Sequence, residues 1–284
     1  MAGDRQRVEG VTPQQLLETP DLIAVGVAGD DVRRRIHGTK TTFVRVFEVH
    51  VDAPPRALPA RTSAGEFRIV GRPGSLDAAI NAVRATTGLA GPVPVTGFTV
   101  ADLEGLSSSF SETCVALRQA GLAGVAQLPI DLVHDAEAVV RTIRDTGLAL
   151  LTMTVETLEE SARVAVCERA RDLQEAIGGF KAFAPLPRQM SSAQPTTGYD
   201  DVKQVALARV VAANVPSIQV DWALYGPKLA QVALTVGADD VDNVSAVDPG
   251  ILGTRRSPLE EIKGNIKAAA LEPVERDGLF AARG

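Results

Sequence analysis

Alternating apolar and polar residues give the first structural signal in this chain. Over residues 41–51 the two kinds of residue alternate almost without interruption, which predicts a β-strand. Residues 148–156 form a nearly continuous apolar run, as expected for a strand buried on both faces of a parallel sheet. Such strands alternate with stretches in which apolar residues recur every three or four positions, the period of a helix. This order predicts the parallel βαβ units of an α/β fold.

Residues 214–242 contain the most informative of these units. A β-prone segment comes first, Trp222 follows it, and Gly226-Pro227 predicts a turn that begins a helix with one buried face. The order strand, aromatic residue, turn and helix is typical of one βα unit of an α/β barrel. The unit ends in what we expect to be an acidic loop, containing Asp239, Asp240 and Asp242.

Several phrases in the second half of the chain resemble one family of enzymes. They are Gly178-Gly179-Phe180, Phe183-Ala184-Pro185-Leu186, Thr197-Gly198-Tyr199-Asp200-Asp201, Asn214-Val215-Pro216-Ser217-Ile218-Gln219, Leu229-Ala230-Gln231-Val232-Ala233-Leu234, Gly237-Ala238-Asp239-Asp240 and Glu272-Pro273-Val274-Glu275-Arg276-Asp277. From about residue 147 onwards the chain resembles the radical SAM enzymes of menaquinone biosynthesis. Aminofutalosine synthase is the nearest match, and dehypoxanthine futalosine cyclase and the deazaflavin-cofactor synthases are more distant.

The resemblance implies a fold and a division of the chain. About six predicted strands suit the partial, open TIM-type barrel of parallel strands that is typical of radical SAM enzymes. We expect residues 1–40 to form a helical lead-in and residues 41–250 to form the partial α/β barrel. Residues 251–284 are then a C-terminal helix and tail that pack on the barrel.

The loop after the first predicted barrel strand departs from the family. In a radical SAM enzyme this loop carries three cysteines at CxxxCxxC spacing, which hold the 4Fe–4S cluster. Residues 52–61 contain no cysteine and no histidine, so we expect neither the cluster nor any other cofactor or metal. The two cysteines of the chain, Cys114 and Cys167, lie in helical patterns and are predicted to be buried apolar side chains.

The resemblance also implies where a substrate would bind, because the family binds a small aromatic carboxylate or a nucleoside product at the C-terminal mouth of the barrel. The polar and aromatic residues that we place there are Gln219, Asp221, Trp222, Asp239, Asp240 and Asp242. Trp222 could instead serve in packing, and Asp239 and Asp240 could cap the next turn. Four arginines lie in or near the altered loop: Arg56, Arg61, Arg68 and Arg72. They either bind an anionic ligand or are solvated residues on the surface.

Composition narrows the class of function. The chain has 29 basic and 35 acidic residues and a net charge of −6, which argues against nucleic-acid binding. It has no apolar run of about 18 residues and no apolar segment after its charged N-terminus. We therefore expect no membrane span and no secretory signal. We expect the protein to be located in the cytoplasm.

These observations leave three functional hypotheses. The first is a cluster-free homologue of aminofutalosine synthase, an accessory or ligand-binding protein in or near futalosine-pathway menaquinone biosynthesis, with a radical SAM paralogue as a candidate partner. The second is a cluster-independent enzyme, such as a lyase or hydrolase, acting on a futalosine-like or small aromatic carboxylate metabolite in the same barrel mouth. The third is a binding module that carries a small aromatic acid without turnover.

Overall fold

The computed structural model describes residues 12–189, 197–250 and 257–283. Parallel strands in this part of the chain form a sheet in the order β10-β1-β2-β3-β4-β6-β7-β8-β9, with β5 also paired to β4. The strands are β1 (Lys40–His50), β2 (Glu66–Val70), β3 (Val95–Thr99), β4 (Gly124–Pro129), β5 (Ala149–Leu150), β6 (Thr152–Val155), β7 (Ala182–Pro187), β8 (Ser217–Asp221), β9 (Asp240–Ser245) and β10 (Glu272–Glu275).

Pairing between β1 and β9 closes the sheet into a barrel. Thr42 of β1 lies opposite Asp240 of β9, and the register shifts between Phe43 and Arg45 because β9 contains an extra residue at that point. Both β5 and β6 pair with β4, so they occupy one of eight positions around the barrel. The predicted barrel of parallel strands is confirmed, whereas the prediction that it is open is wrong.

Helices follow most of the strands, as the βαβ pattern predicts. Those in the described residues are α1 (Pro13–Glu18), α2 (Leu22–His37), α3 (Leu76–Ala90), α4 (Val100–Leu103), α5 (Phe110–Ala120), α6 (Ala136–Asp145), α7 (Arg163–Ala176), α8 (Gly198–Val211), α9 (Trp222–Leu234) and α10 (Pro258–Ala268). Gly226 interrupts α9 with φ 76° and ψ 166°, at the predicted Gly-Pro turn. Within the described residues, no helix has the length and apolar character to cross a membrane.

The apolar core lies between the strands and the surrounding helices. Outward-facing strand residues such as Phe43, Ile69 and Phe183 are fully buried. Each large side chain of this kind contributes roughly 1.5–3 kcal/mol to the free energy of unfolding. Because strand residues alternate between the two faces, the neighbours of these residues face the inside of the barrel.

The C-terminal segment covers the end of the barrel at which the strands begin. Strand β10 pairs with the first residues of β1, whereas the sequence predicted only a tail after the C-terminal helix. After β10, the Gly278 amide donates to the Gly65 carbonyl oxygen at 3.1 Å, and the Arg283 guanidinium donates to the Ala64 carbonyl oxygen at 2.8 Å. The chain therefore crosses below the start of β2. We call the opposite end, where the strands finish, the mouth of the barrel.

A buried ion network and an open mouth

Charged and polar side chains fill the lower half of the barrel interior. Barrels of this kind usually have branched apolar residues there. Here the inward-facing positions hold Thr42, Glu66, Arg68, Thr96, Gln219, Asp240, Asp242 and Arg276. All except Thr42, which is half-buried, are buried. Buried charges are costly unless they are paired and hydrogen-bonded, so their partners decide whether this interior is stable.

Arg68 joins two strands through carboxylates on both sides. Its guanidinium donates two hydrogen bonds of 2.8 Å to Asp242 of β9 and two more of 2.8 Å to Glu66 of β2. Burial raises the pKa of Asp242, but the attraction of Arg68 and its hydrogen bonds outweigh burial and hold that pKa well below its usual range. Arg68 and Asp242 are therefore both charged at neutral pH.

Arg276 makes the second buried ion pair from the C-terminal segment. Its Nε and Nη2 atoms each donate to one oxygen of Asp240 at 2.7 Å. Asp240 also accepts from the side-chain amide of Gln219 at 2.7 Å and from the hydroxyl of Thr42 at 2.5 Å. The ring of Phe280 covers the Arg276 guanidinium at 3.8 Å. A cavity of about 20 Å³ remains beside Gln219, enough for about one water molecule.

Asp239 lies on the other face of the sheet from Asp240. Its carboxylate pairs with the fully buried Arg209 of α8, accepts from the Ile218 amide at 2.9 Å, and lies 3.0 Å from Nε2 of His37. The hydrogen bond to Asp239 raises the pKa of His37 despite the opposing effects of burial and of Arg209. Asp239 therefore joins α2, α8 and β8 outside the barrel.

Asp221 and Trp222 lie at the mouth, where β8 ends and α9 begins. Asp221 caps α9 by accepting from the Leu224 amide at 2.9 Å, and its other oxygen pairs with Arg188 at 2.5 Å. Trp222 is half-buried and packs against the core. Close by, the Tyr225 hydroxyl donates to the Pro187 carbonyl oxygen at 2.5 Å.

The six predicted site residues therefore separate into three places. Asp221 and Trp222 are at the mouth, as expected. Gln219, Asp240 and Asp242 lie deeper, inside the ion network, and Asp239 faces the helices, so the structure does not place these four residues at the mouth. Asp240 and Asp242 are among the first three residues of β9, and Asp239 directly precedes that strand, so the three aspartates lie near the opposite end of the barrel and not in an acidic loop.

The arginines near the altered loop also separate. Arg56, Arg61 and Arg72 are exposed, as the surface interpretation expected. Arg68 is buried in the barrel interior and paired with two carboxylates, so that interpretation is wrong for it.

Two inward-facing residues at the mouth were missed by the sequence analysis. Alternation along β1 from Thr42, whose hydroxyl contacts Asp240 inside the barrel, places Glu48 and His50 on the inward face. Both are exposed, which shows that solvent reaches this end of the interior. The signal was present in the predicted alternation of residues 41–51, but only barrel closure defines which face of β1 is the inside.

Comparisons with known proteins agree with this architecture. Residues 179–283 match the family model described as the CofH/MqnC C-terminal region. This part of the chain is therefore similar to the C-terminal region of the CofH/MqnC family. The resemblance to radical SAM enzymes of menaquinone biosynthesis is thereby confirmed.

Curated proteins match about half of this chain. Aminodeoxyfutalosine synthase of Thermus thermophilus is 36% identical over 150 residues, which are 48% of this chain and 40% of the relative. The 5-amino-6-(D-ribitylamino)uracil–L-tyrosine 4-hydroxyphenyl transferase 2 of Methanosarcina barkeri is 35% identical over 153 residues, 48% of this chain and 39% of the relative. The match thus spans less than half the length of either relative.

Solved structures share the fold over nearly the whole chain. The [FeFe]-hydrogenase maturase HydG superposes with a TM-score of 0.63 at 12% identity, covering 94% of this chain and 73% of HydG. Methylornithine synthase PylB gives a TM-score of 0.60 at 12% identity, covering 93% of this chain and 95% of PylB. At these identities the likeness concerns the fold alone.

The family implies a 4Fe–4S cluster, and the residues present do not fit one. Cys114 and Cys167 are fully buried on α5 and α7, in the helical layer outside the barrel. Burial raises the pKa of the Cys114 thiol to about 11, and burial also raises the pKa of the Cys167 thiol strongly. A 4Fe–4S cluster is held by several cysteine thiolates that lie close together, and two buried, protonated thiols on separate helices do not provide them. No group of three or more metal-ligating side chains occurs within the described ranges.

Proposed function

We propose that this chain is a cluster-free protein that binds a small ligand at the barrel mouth. It acts in or near futalosine-pathway menaquinone biosynthesis, in the cytoplasm, as an accessory or ligand-binding protein. The observation that carries the proposal is the position of the two cysteines: both are buried in the helical layer, while the loop after β1 has none. The ligand is a small aromatic carboxylate or a nucleoside, and a radical SAM paralogue is a candidate partner.

Anaerobic reconstitution with iron and sulfide tests the absence of a cluster. We expect no absorbance from a 4Fe–4S cluster and no reductive cleavage of S-adenosylmethionine. A cysteine-bearing relative reconstituted in parallel controls for the procedure. Cluster absorbance together with S-adenosylmethionine cleavage would falsify the proposal.

Cluster-independent catalysis is the second candidate function, and Glu48 and His50 favour it. Both are exposed, inward-facing groups that can transfer protons, and they lie on a strand at the end of the barrel where active sites of this fold usually occur. A lyase or hydrolase would convert a futalosine-like or aromatic carboxylate metabolite without any metal or S-adenosylmethionine. Turnover that survives chelators and is lost in both Glu48→Gln and His50→Ala would establish it, whereas saturable binding without turnover would support the ligand-binding role.

A further inference from the structure

We propose that Glu48 anchors the ligand at the mouth, and that the site selects uncharged or cationic molecules with hydrogen-bond donors over aromatic carboxylates. This inference rests on the proposed function, because it concerns the same mouth. Of the two ligand classes in the proposed function, it favours the uncharged nucleoside over the aromatic carboxylate. It assigns this selectivity to the side chain of Glu48.

The position of Glu48 gives it access to a ligand. It lies two residues before the end of β1, on the inward face, and it is exposed while the inward-facing residues below it are largely enclosed. It pairs with no arginine or lysine in the described part of the chain, unlike the carboxylates of the ion network. Its charge is therefore available to whatever occupies the mouth.

Asn243 holds the Glu48 carboxylate in place. Its side-chain amide donates to Oε1 of Glu48 at 3.0 Å. Asn243 lies within β9 with φ 59°, in the left-handed region, where the register of β9 against β1 shifts. Bulges and backbone conformations of this kind re-aim side chains and cluster at functional sites. The bulge positions Asn243, and Asn243 in turn orients the Glu48 carboxylate. Oε2 of Glu48 can then accept a hydrogen bond from a hydroxyl, amino or ring N–H group of a ligand.

The charges inside the barrel disfavour a carboxylate ligand. In the described part of the chain, the side chains named so far on the inward face are five carboxylates and three guanidiniums: Glu48, Glu66, Asp221, Asp240 and Asp242 against Arg68, Arg188 and Arg276. Each guanidinium is already bonded to a buried aspartate. A ligand carboxylate would add a further negative charge beside Glu48, and no unpaired guanidinium among the described residues would balance it; like charges brought together in this way weaken binding.

Arg188 is the rival anchor. Its Nη2 atom is buried and has no hydrogen-bond partner among the described residues, although Nη1 is paired with Asp221 at 2.5 Å. If Arg188 turned this nitrogen toward the mouth, it would bind a carboxylate and reverse the expected selectivity. The two assignments therefore predict opposite preferences for the same pair of probes.

A matched pair of probes decides between these preferences. The compounds 3-hydroxybenzoate and 3-hydroxybenzamide have nearly the same shape and differ in charge, and adenosine serves as an uncharged, donor-rich third probe. Titration calorimetry or ligand-observed NMR at up to millimolar concentration measures their affinities for the full chain. We expect the benzamide to bind about tenfold or more tightly than the benzoate, and adenosine to bind as well.

Variants assign this preference to Glu48. Glu48→Gln removes the charge at constant size, so we expect the benzamide-to-benzoate ratio to fall to near one. Asn243→Gly keeps the left-handed backbone conformation accessible but removes the side-chain amide that donates to Glu48. We expect this variant to bind the benzamide and adenosine severalfold more weakly. Glu137→Gln on α6 is the control, because it removes one negative charge from an exposed outer helix and leaves the ratio unchanged.

Three results overturn the inference: a benzoate that binds as tightly as the benzamide or more tightly, a ratio that persists in Glu48→Gln, or the failure of all three probes to bind. None of them bears on cluster reconstitution. A reconstituted cluster would overturn the proposed function while leaving the probe preference to be judged by these titrations.

Discussion

The lower interior of the barrel and its mouth use similar side chains for opposite purposes. Below, Arg68 and Arg276 each bond to buried carboxylates through two or more hydrogen bonds, and a C-terminal segment covers them. At the mouth, Glu48 is exposed, held by one neutral amide and unpaired with any cation among the described residues. A charge enclosed with its partner contributes to the structure, whereas an oriented charge without one can bind a ligand. The polar interior is therefore not one site but a structural layer beneath a candidate binding layer.

The largest effect that separates the two layers is expected at Arg68. Arg68→Met leaves Glu66 and Asp242 buried without their cation, and breaking such a pair costs about 3–5 kcal/mol in the free energy of unfolding. Arg72→Met, at an exposed arginine four residues later, should cost about 0.5 kcal/mol or less. Denaturant unfolding of both variants measures the difference, and equal losses would show that the network does not stabilise the barrel.

An intermediate effect, dependent on pH, is expected at His37 outside the barrel. Its pKa is raised in the folded protein, chiefly by the hydrogen bond to Asp239. The protonated imidazole therefore stabilises the fold fully below its unfolded pKa of about 6.5, and this stabilisation is lost as pH rises through the higher folded value. Thermal melts of His37→Gln across this range should show a flatter dependence on pH than the parent chain. Parallel curves for the two proteins would contradict the role assigned to His37.

The smallest effect on stability is expected at the mouth. Glu48→Gln and His50→Ala alter exposed side chains without charged partners, so each should change the free energy of unfolding by about 0.5 kcal/mol or less. Denaturant unfolding beside Arg68→Met provides the measurement. A loss at Glu48 comparable to that at Arg68 would mean that the mouth carboxylate belongs to the structural layer after all.

Local patterns in the sequence predicted much of the fold. Alternation over residues 41–51 corresponds to β1, and the Gly226-Pro227 turn corresponds to the kink in α9. Strand β9 was missed because its inward-facing positions are Asp240 and Asp242, and acidic residues are typical of loops. Their arginine partners come from β2 and from beyond β10, so only the closed barrel shows how these carboxylates are accommodated.

The candidate site was predictable only in part for a related reason. Asp221 and Trp222 follow a strand directly, so their position at the mouth could be inferred from chain order. Glu48 and His50 lie within a strand, where the sequence shows that they share a face but not which face is inside. The deciding contact is between β1 and β9, nearly 200 residues apart.

Strand order has a consequence for synthesis. All eight positions of the barrel wall have been made by Ser245, yet the cation that balances Asp240 is Arg276, which reaches the ribosome exit later. A barrel closed by β1 and β9 without residues 272–276 would hold Asp240 without its cation and would lack β10 beside β1. Complete pairing of the barrel interior therefore depends on a short stretch of chain that follows the barrel wall in sequence.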